Sequence, residues 1–134
     1  MAWTITSVGK SSTTKGSRDN VFIKAVETVT LPSSSPETSS SVIDWIPKGQ
    51  DFTVIANSGG STLSASCDID VTVCDTATGT FVRLKSDLVS TVSDAAKAAL
   101  YDVSANGEAP YYKLLIDPEA IMASGDTITF VVMA

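Results

Sequence analysis

The chain has 134 residues, 43% of them apolar and 18% charged, with a net charge of −6. A domain of this size buries roughly two thirds of its unfolded surface and needs no disulfide or metal to fold, and the composition is globular rather than disordered. The negative balance excludes general nucleic-acid binding, which needs clustered Lys and Arg, and no apolar run approaches the roughly 20 residues of a membrane span.

The first expected strand is Trp3 to Val8, and Met1-Ala2-Trp3-Thr4 shows no basic region followed by an apolar run, so no signal peptide is expected. Gly9 to Ser17 reads as a polar, glycine-bounded arm or long loop. Val21 to Leu31 is a long extended segment with apolar residues on both parities, the pattern of a central strand or of one covered by another subunit. Residues 1–24 hold Lys10, Lys15, Arg18 and Lys24 against Asp19, a net +3, whereas residues 25–134 carry a net −9. A basic leading segment on an acidic body can dock on an acidic partner or on a neighbouring subunit.

Pro32 to Ser41 is a low-complexity stretch, too polar to pack, and reads as an exposed mobile loop. Val42 to Ile46 is the next expected strand, followed by a turn at Pro47-Lys48-Gly49. Asp51 to Asn57 is a strand ended by Ser58-Gly59-Gly60-Ser61. In Ser64 to Cys74, Cys67, Ile69, Val71 and Val73 are expected inward, and Asp68, Asp70 and Thr72 outward to solvent. Asp75 to Gly79 is a hairpin loop, and Thr80 to Lys85 returns. Residues 87–101 are the helical candidate, because Ser93-Asp94 offers an N-cap and Ala95 to Tyr101 are good helix formers. Ser104 to Pro110 is a loop, and Tyr111 to Asp117 and Asp126 to Met133 are strands rich in aromatic and β-branched residues. The connection from Pro118 to Gly125 has room for one helical turn.

Seven to nine short strands at roughly ten-residue spacing predict an all-β fold, an antiparallel β-sandwich or Greek-key or jelly-roll-like barrel with one short helix. Residues 1–20 are read as an N-terminal strand with a polar basic arm, and 21–134 as a single β-sandwich domain.

The chain has no histidine, which removes the usual Ser-His-Asp and Cys-His catalysis and the commonest metal ligand. Cys67 and Cys74 on one strand lie roughly 23 Å apart at about 3.3 Å per residue, too far to bond, so free thiols of a reducing cytoplasm are expected. Asp75-Thr76 departs from the Asp-Thr-Gly loop of dimeric aspartic proteases at Ala77, and an Asx-type turn is the better reading. Asp68 and Asp70 share a strand face, a weak calcium candidate beside the plainer reading of a solvated acidic face. No carboxylate pair stands out for glycoside hydrolysis, so no catalytic residue, cofactor or firm metal site is named. Tyr111 and Tyr112 point to opposite faces, so at most one is core; Trp45 reads as core, and Trp3, a large apolar residue near a terminus, as an interface residue. Trp3, Lys10, Lys15, Arg18 and Tyr111 form the expected partner interface.

In size, class and composition, and in the strand entries at Pro47-Lys48-Gly49 and Ser124-Gly125-Asp126, the chain resembles the capsid decoration, or cement, proteins of tailed bacteriophages. It shares no diagnostic motif with them, so no residue role is carried over. The resemblance implies a structural virion protein, assembled in the host cytoplasm and often trimeric. Such a protein binds the major capsid protein or another virion protein and braces the shell, with no nucleic acid or membrane as partner. The competing expectation is a carbohydrate-binding or receptor-binding β-sandwich module; a small hydrolase is third.

Overall fold

In the computed structural model, residues 2–10, 20–32, 37–58, 62–120 and 125–134 are described. They form nine strands and one helix: β1 (Thr4–Lys10), β2 (Asn20–Thr30), β3 (Thr38–Ser39), β4 (Phe52–Asn57), β5 (Cys67–Cys74), β6 (Val82–Val92), β7 (Lys97–Tyr101), α1 (Val103–Asn106), β8 (Tyr111–Pro118) and β9 (Thr127–Met133). The strands make two sheets, β1-β2-β9-β4-β7 and β3-β8-β5-β6, antiparallel throughout. The all-β sandwich with one short helix is therefore the fold. No described helix is long and apolar enough to cross a membrane.

The alternation of β4 and β9 turns Phe52, Val54, Ala56, Ile128, Phe130 and Val132 inward. Ile69, Val71, Leu114 and Ile116 meet them from the second sheet. Each of these side chains apart from Ala56 contributes about 1.5–3 kcal/mol on burial. Phe52, Tyr101 and Tyr112 form an aromatic cluster with centroids 4.9 to 5.6 Å apart. Tyr112 is the core member of its pair and Tyr111 is half-buried on the other face, as parity requires.

Several expectations are corrected. Lys97–Tyr101 is a strand, not a helix: Tyr101 pairs with Phe52 and Ala99 with Val54. The helix preference of alanine, a few tenths of a kcal/mol per residue, is outweighed by a five-residue ladder and the burial of Tyr101. The helix, Val103–Asn106, overlaps the start of the expected loop at 104–110 instead. Asp102 caps it by accepting the Ser104 and Ala105 N–H groups, and Gly107 (φ 112°) ends it. Val42 to Ile46 pairs only through Ile43, which exchanges two backbone hydrogen bonds with Tyr112 before the chain bends at Ile46 ahead of Pro47.

The stretch 32–41 is not wholly an unpacked loop, although 33–36 lie outside the described residues. Thr38 and Ser39 pair with Ile116 and Leu115. Ser40 is buried because its hydroxyl is satisfied: Oγ donates to the Ser41 carbonyl at 2.9 Å and accepts the Leu114 N–H at 3.0 Å. Residues 4–10 pair with β2 along their whole length, and Asn20 begins β2. Residues 11–19, the rest of the expected arm, lie outside the described residues.

Candidate functional site

β5 was expected to bury one face, and it buries both along its middle. Asp70 and Thr72 are as buried as Ile69 and Val71. The cause lies in β6. From the pair Cys67–Val92 to the pair Val73–Val82, β5 advances six residues and β6 ten, so β6 bulges repeatedly against its neighbour. Two bulge residues adopt left-handed backbone without being glycine, Asp87 (φ 56°) and Thr91 (φ 55°). Each N–H is received by an aspartate of β5. Asp70 Oδ1 accepts from Asp87 at 2.7 Å, and Asp68 Oδ1 accepts from Thr91 at 2.9 Å. These bonds hold a strained ladder in place.

The other oxygen of Asp70 accepts from Arg83 Nε at 2.7 Å. The same guanidinium pairs with Glu37 and lies 3.9 Å from Asp117. Carboxylate oxygens of Glu37, Asp70 and Asp117 come within 4.8 Å of one another around it. The hydrogen bond to Asp70 raises the Arg83 pKa further, while partial burial and the charges of Glu37 and Asp70 raise that of Asp117. The charge of Asp68 is the main cause that raises Asp87. The Asp68 and Asp70 carboxylates proposed for calcium are thus engaged by backbone N–H groups and by Arg83. The centre of the acid cluster is occupied by a guanidinium, and the geometry is that of a structural ion-pair network.

The interface candidates separate. Trp3 is half-buried against its own chain. Its Nε1–H donates to the Ser41 carbonyl at 3.0 Å, and its ring meets Trp45 edge-on at 6.3 Å. The tryptophan near the terminus is thus partly covered by its own chain. Trp45 packs beside the core, as expected. Lys10 ends β1 opposite Asn20. Lys15 and Arg18 lie outside the described residues. Tyr111 pairs with Cys74 on the second sheet, whereas Trp3 and Lys10 belong with the first sheet. Cys67 and Cys74 are free, at opposite ends of β5.

A different surface emerges from the registers. On the outer face of the first sheet, Thr4, Val26, Val131, Ile55 and Ala98 form one cross-strand row. Thr6, Lys24, Met133, Thr53 and Leu100 form the next. The strands of this sheet hold Lys10, Lys24 and Lys97 against one acid, Glu27, which is buried on the inner face. The acids of the molecule gather on the second sheet and in the loops. β1 ends the larger sheet, and Ile5, on the inward parity of β1, remains 48% exposed, while Leu100 on β7 is 57% exposed. Val26, Ile55, Val131 and Met133 share one parity with Lys24 across three strands. That shared parity was a legible signal, but it becomes a surface only once the strand order is known.

No family model matches the chain, and neither a curated protein nor a solved structure matches it.

Proposed function

We propose that this chain is a structural attachment protein that binds a repetitive protein surface, with the outer shell of a bacteriophage capsid as the target its size, class and composition suggest. The observation that carries this reading is the outer face of the first sheet. In a protein of net charge −6, that face presents Val26, Ile55, Val131, Met133 and Leu100 with lysine as its only charge. A broad apolar centre beside Lys24 fits an acidic protein lattice. Many weak contacts, repeated in a homo-oligomer such as a trimer, add to firm attachment. The acid network on the opposite sheet serves the fold instead.

Two measurements test it. Quantitative mass spectrometry of purified particles from the native source should find the chain in hundreds of copies; its absence overturns the virion reading. Leu100→Glu, on an exposed outward position of β7, should abolish attachment while leaving the thermal midpoint unchanged, and undiminished attachment overturns the assignment to this face. Deleting residues 2–18 is a poor test, because it removes β1 and the Trp3 contact with Ser41.

A further inference from the structure

Glu27 is 3% exposed and stands on the inner face of β2, where that strand passes the segment Ser39 to Ser41. Its Oε1 accepts the Ser41 N–H at 2.8 Å. Its Oε2 is buried and has no hydrogen-bond partner among the described residues. Such an oxygen is expensive to leave unpaired, more so on a carboxylate than on a neutral group. The residue lines a cleft of about 390 Å3, together with Val29, Thr30, Ser39, Ser40, Ser41 and Lys113. The Lys113 ammonium does not serve it: that group sits 4.6 Å from the centre of the Phe81 ring.

We propose that this cleft binds an alkyl cation bearing N–H donors, an ammonium or guanidinium group, with Glu27 Oε2 as its anchor. An ionised carboxylate can only accept, and for that form the missing partner is a donor. A charged donor bonds it about twice as strongly as a neutral one and compensates the buried charge as well. The cleft has the volume for a side-chain-sized group, and Val29 supplies an apolar wall for a methylene stem, as lysine and arginine stems use elsewhere. The ligand is therefore a free alkylamine or the end of a Lys or Arg side chain. This site is independent of the sheet face proposed for attachment.

The test is an NMR titration of the full chain, labelled with 13C at glutamate, using n-butylammonium, ethylguanidinium and the uncharged n-butanol. The Glu27 Cδ resonance and the Ser39 to Ser41 amides should shift saturably with both cations, between about 1 and 100 mM, as one charge-assisted contact supports. Glu27→Gln keeps an acceptor for the Ser41 N–H and should weaken that binding at least tenfold. N-acetyl-lysine-N-methylamide distinguishes the sources. Binding as tight as that of butylammonium assigns the site to a protein side chain, and weaker binding to a free amine. Absence of a saturable shift means that water alone fills the cleft and overturns the proposal. An equal response to n-butanol, or unchanged binding by Glu27→Gln, overturns it too.

Discussion

Asp70 Oδ1 accepts the backbone N–H of Asp87 at 2.7 Å, joining the middle of β5 to the residue at which β6 turns left-handed. The same carboxylate holds Arg83, whose side chain is 39% exposed against 2% for Asp70. That asymmetry fixes the order of two substitutions. Arg83→Met strands a buried carboxylate and should cost about 3–5 kcal/mol. Asp70→Asn leaves a guanidinium that water can reach and keeps an acceptor for Asp87, so it should cost about 1–2 kcal/mol. Urea unfolding of both variants checks the order, and a larger loss for Asp70→Asn would refute it.

Asp87 carries its own strain. The Asp68 charge, then some loss of solvation and the Asp70 charge, raise its pKa in the fold. A raised carboxyl favours the protonated folded state. Its contribution to stability is complete below about pH 4, the unfolded value, and is lost as pH rises past the folded value. Asp87→Asn removes the repulsion and keeps a residue type that tolerates left-handed backbone. The variant should melt higher than the parent at neutral pH, with the gap closing as pH falls through the raised folded value and closed below about 4. Calorimetry across that range decides it; an unchanged or lower midpoint at neutral pH counts against the repulsion.

The two thiols should react differently. Cys67 is fully buried, and burial, then the Asp68 charge, pushes its pKa from 9.0 up to about 12. Cys74 is half-buried at the far end of β5. A thiol-disulfide reagent at about pH 8 should label one cysteine per native chain and the second only in denaturant. Because the Cys67 pKa is raised, its contribution to stability is present below pH 9.0 and is lost as pH rises towards 12. Two fast-reacting thiols in the native state would contradict the burial of Cys67.

Trp3 serves the fold through its hydrogen bond to Ser41 and its edge contact with Trp45. Trp3→Ala should cost about 2–4 kcal/mol, somewhat below a full core truncation because the ring is half-buried. Trp3→Phe keeps part of the contact and should recover about half of the loss. Unfolding curves monitored by circular dichroism report both, and an unchanged stability for Trp3→Ala would refute a role of its ring in the fold.

Strands β4, β8 and β9 were legible because alternation and turn residues agree in each. The parity of Tyr111 and Tyr112 correctly chose between core and surface for the pair. β7 was not legible. Its alanines favour a helix locally, and only the ladder with β4, more than forty residues earlier, makes it a strand. Asp68 and Asp70 were placed on the correct side of β5 but in the wrong surroundings, since the period of one strand says nothing about bulges in its neighbour. Ser40 shows the same limit: a hydroxyl in a polar run becomes core once Leu114 and Ser41 bond it.

The sandwich has four sheet margins, and they differ in what they leave open. β3 is two residues long, β6 is bulged with two of its N–H groups turned back onto aspartates, and β7 meets β6 where the sheets join. Among the described residues, β1 alone is a regular seven-residue strand paired on one side. Among the described margins, the longest regular edge open to main-chain pairing with an extended segment is therefore Thr4–Lys10.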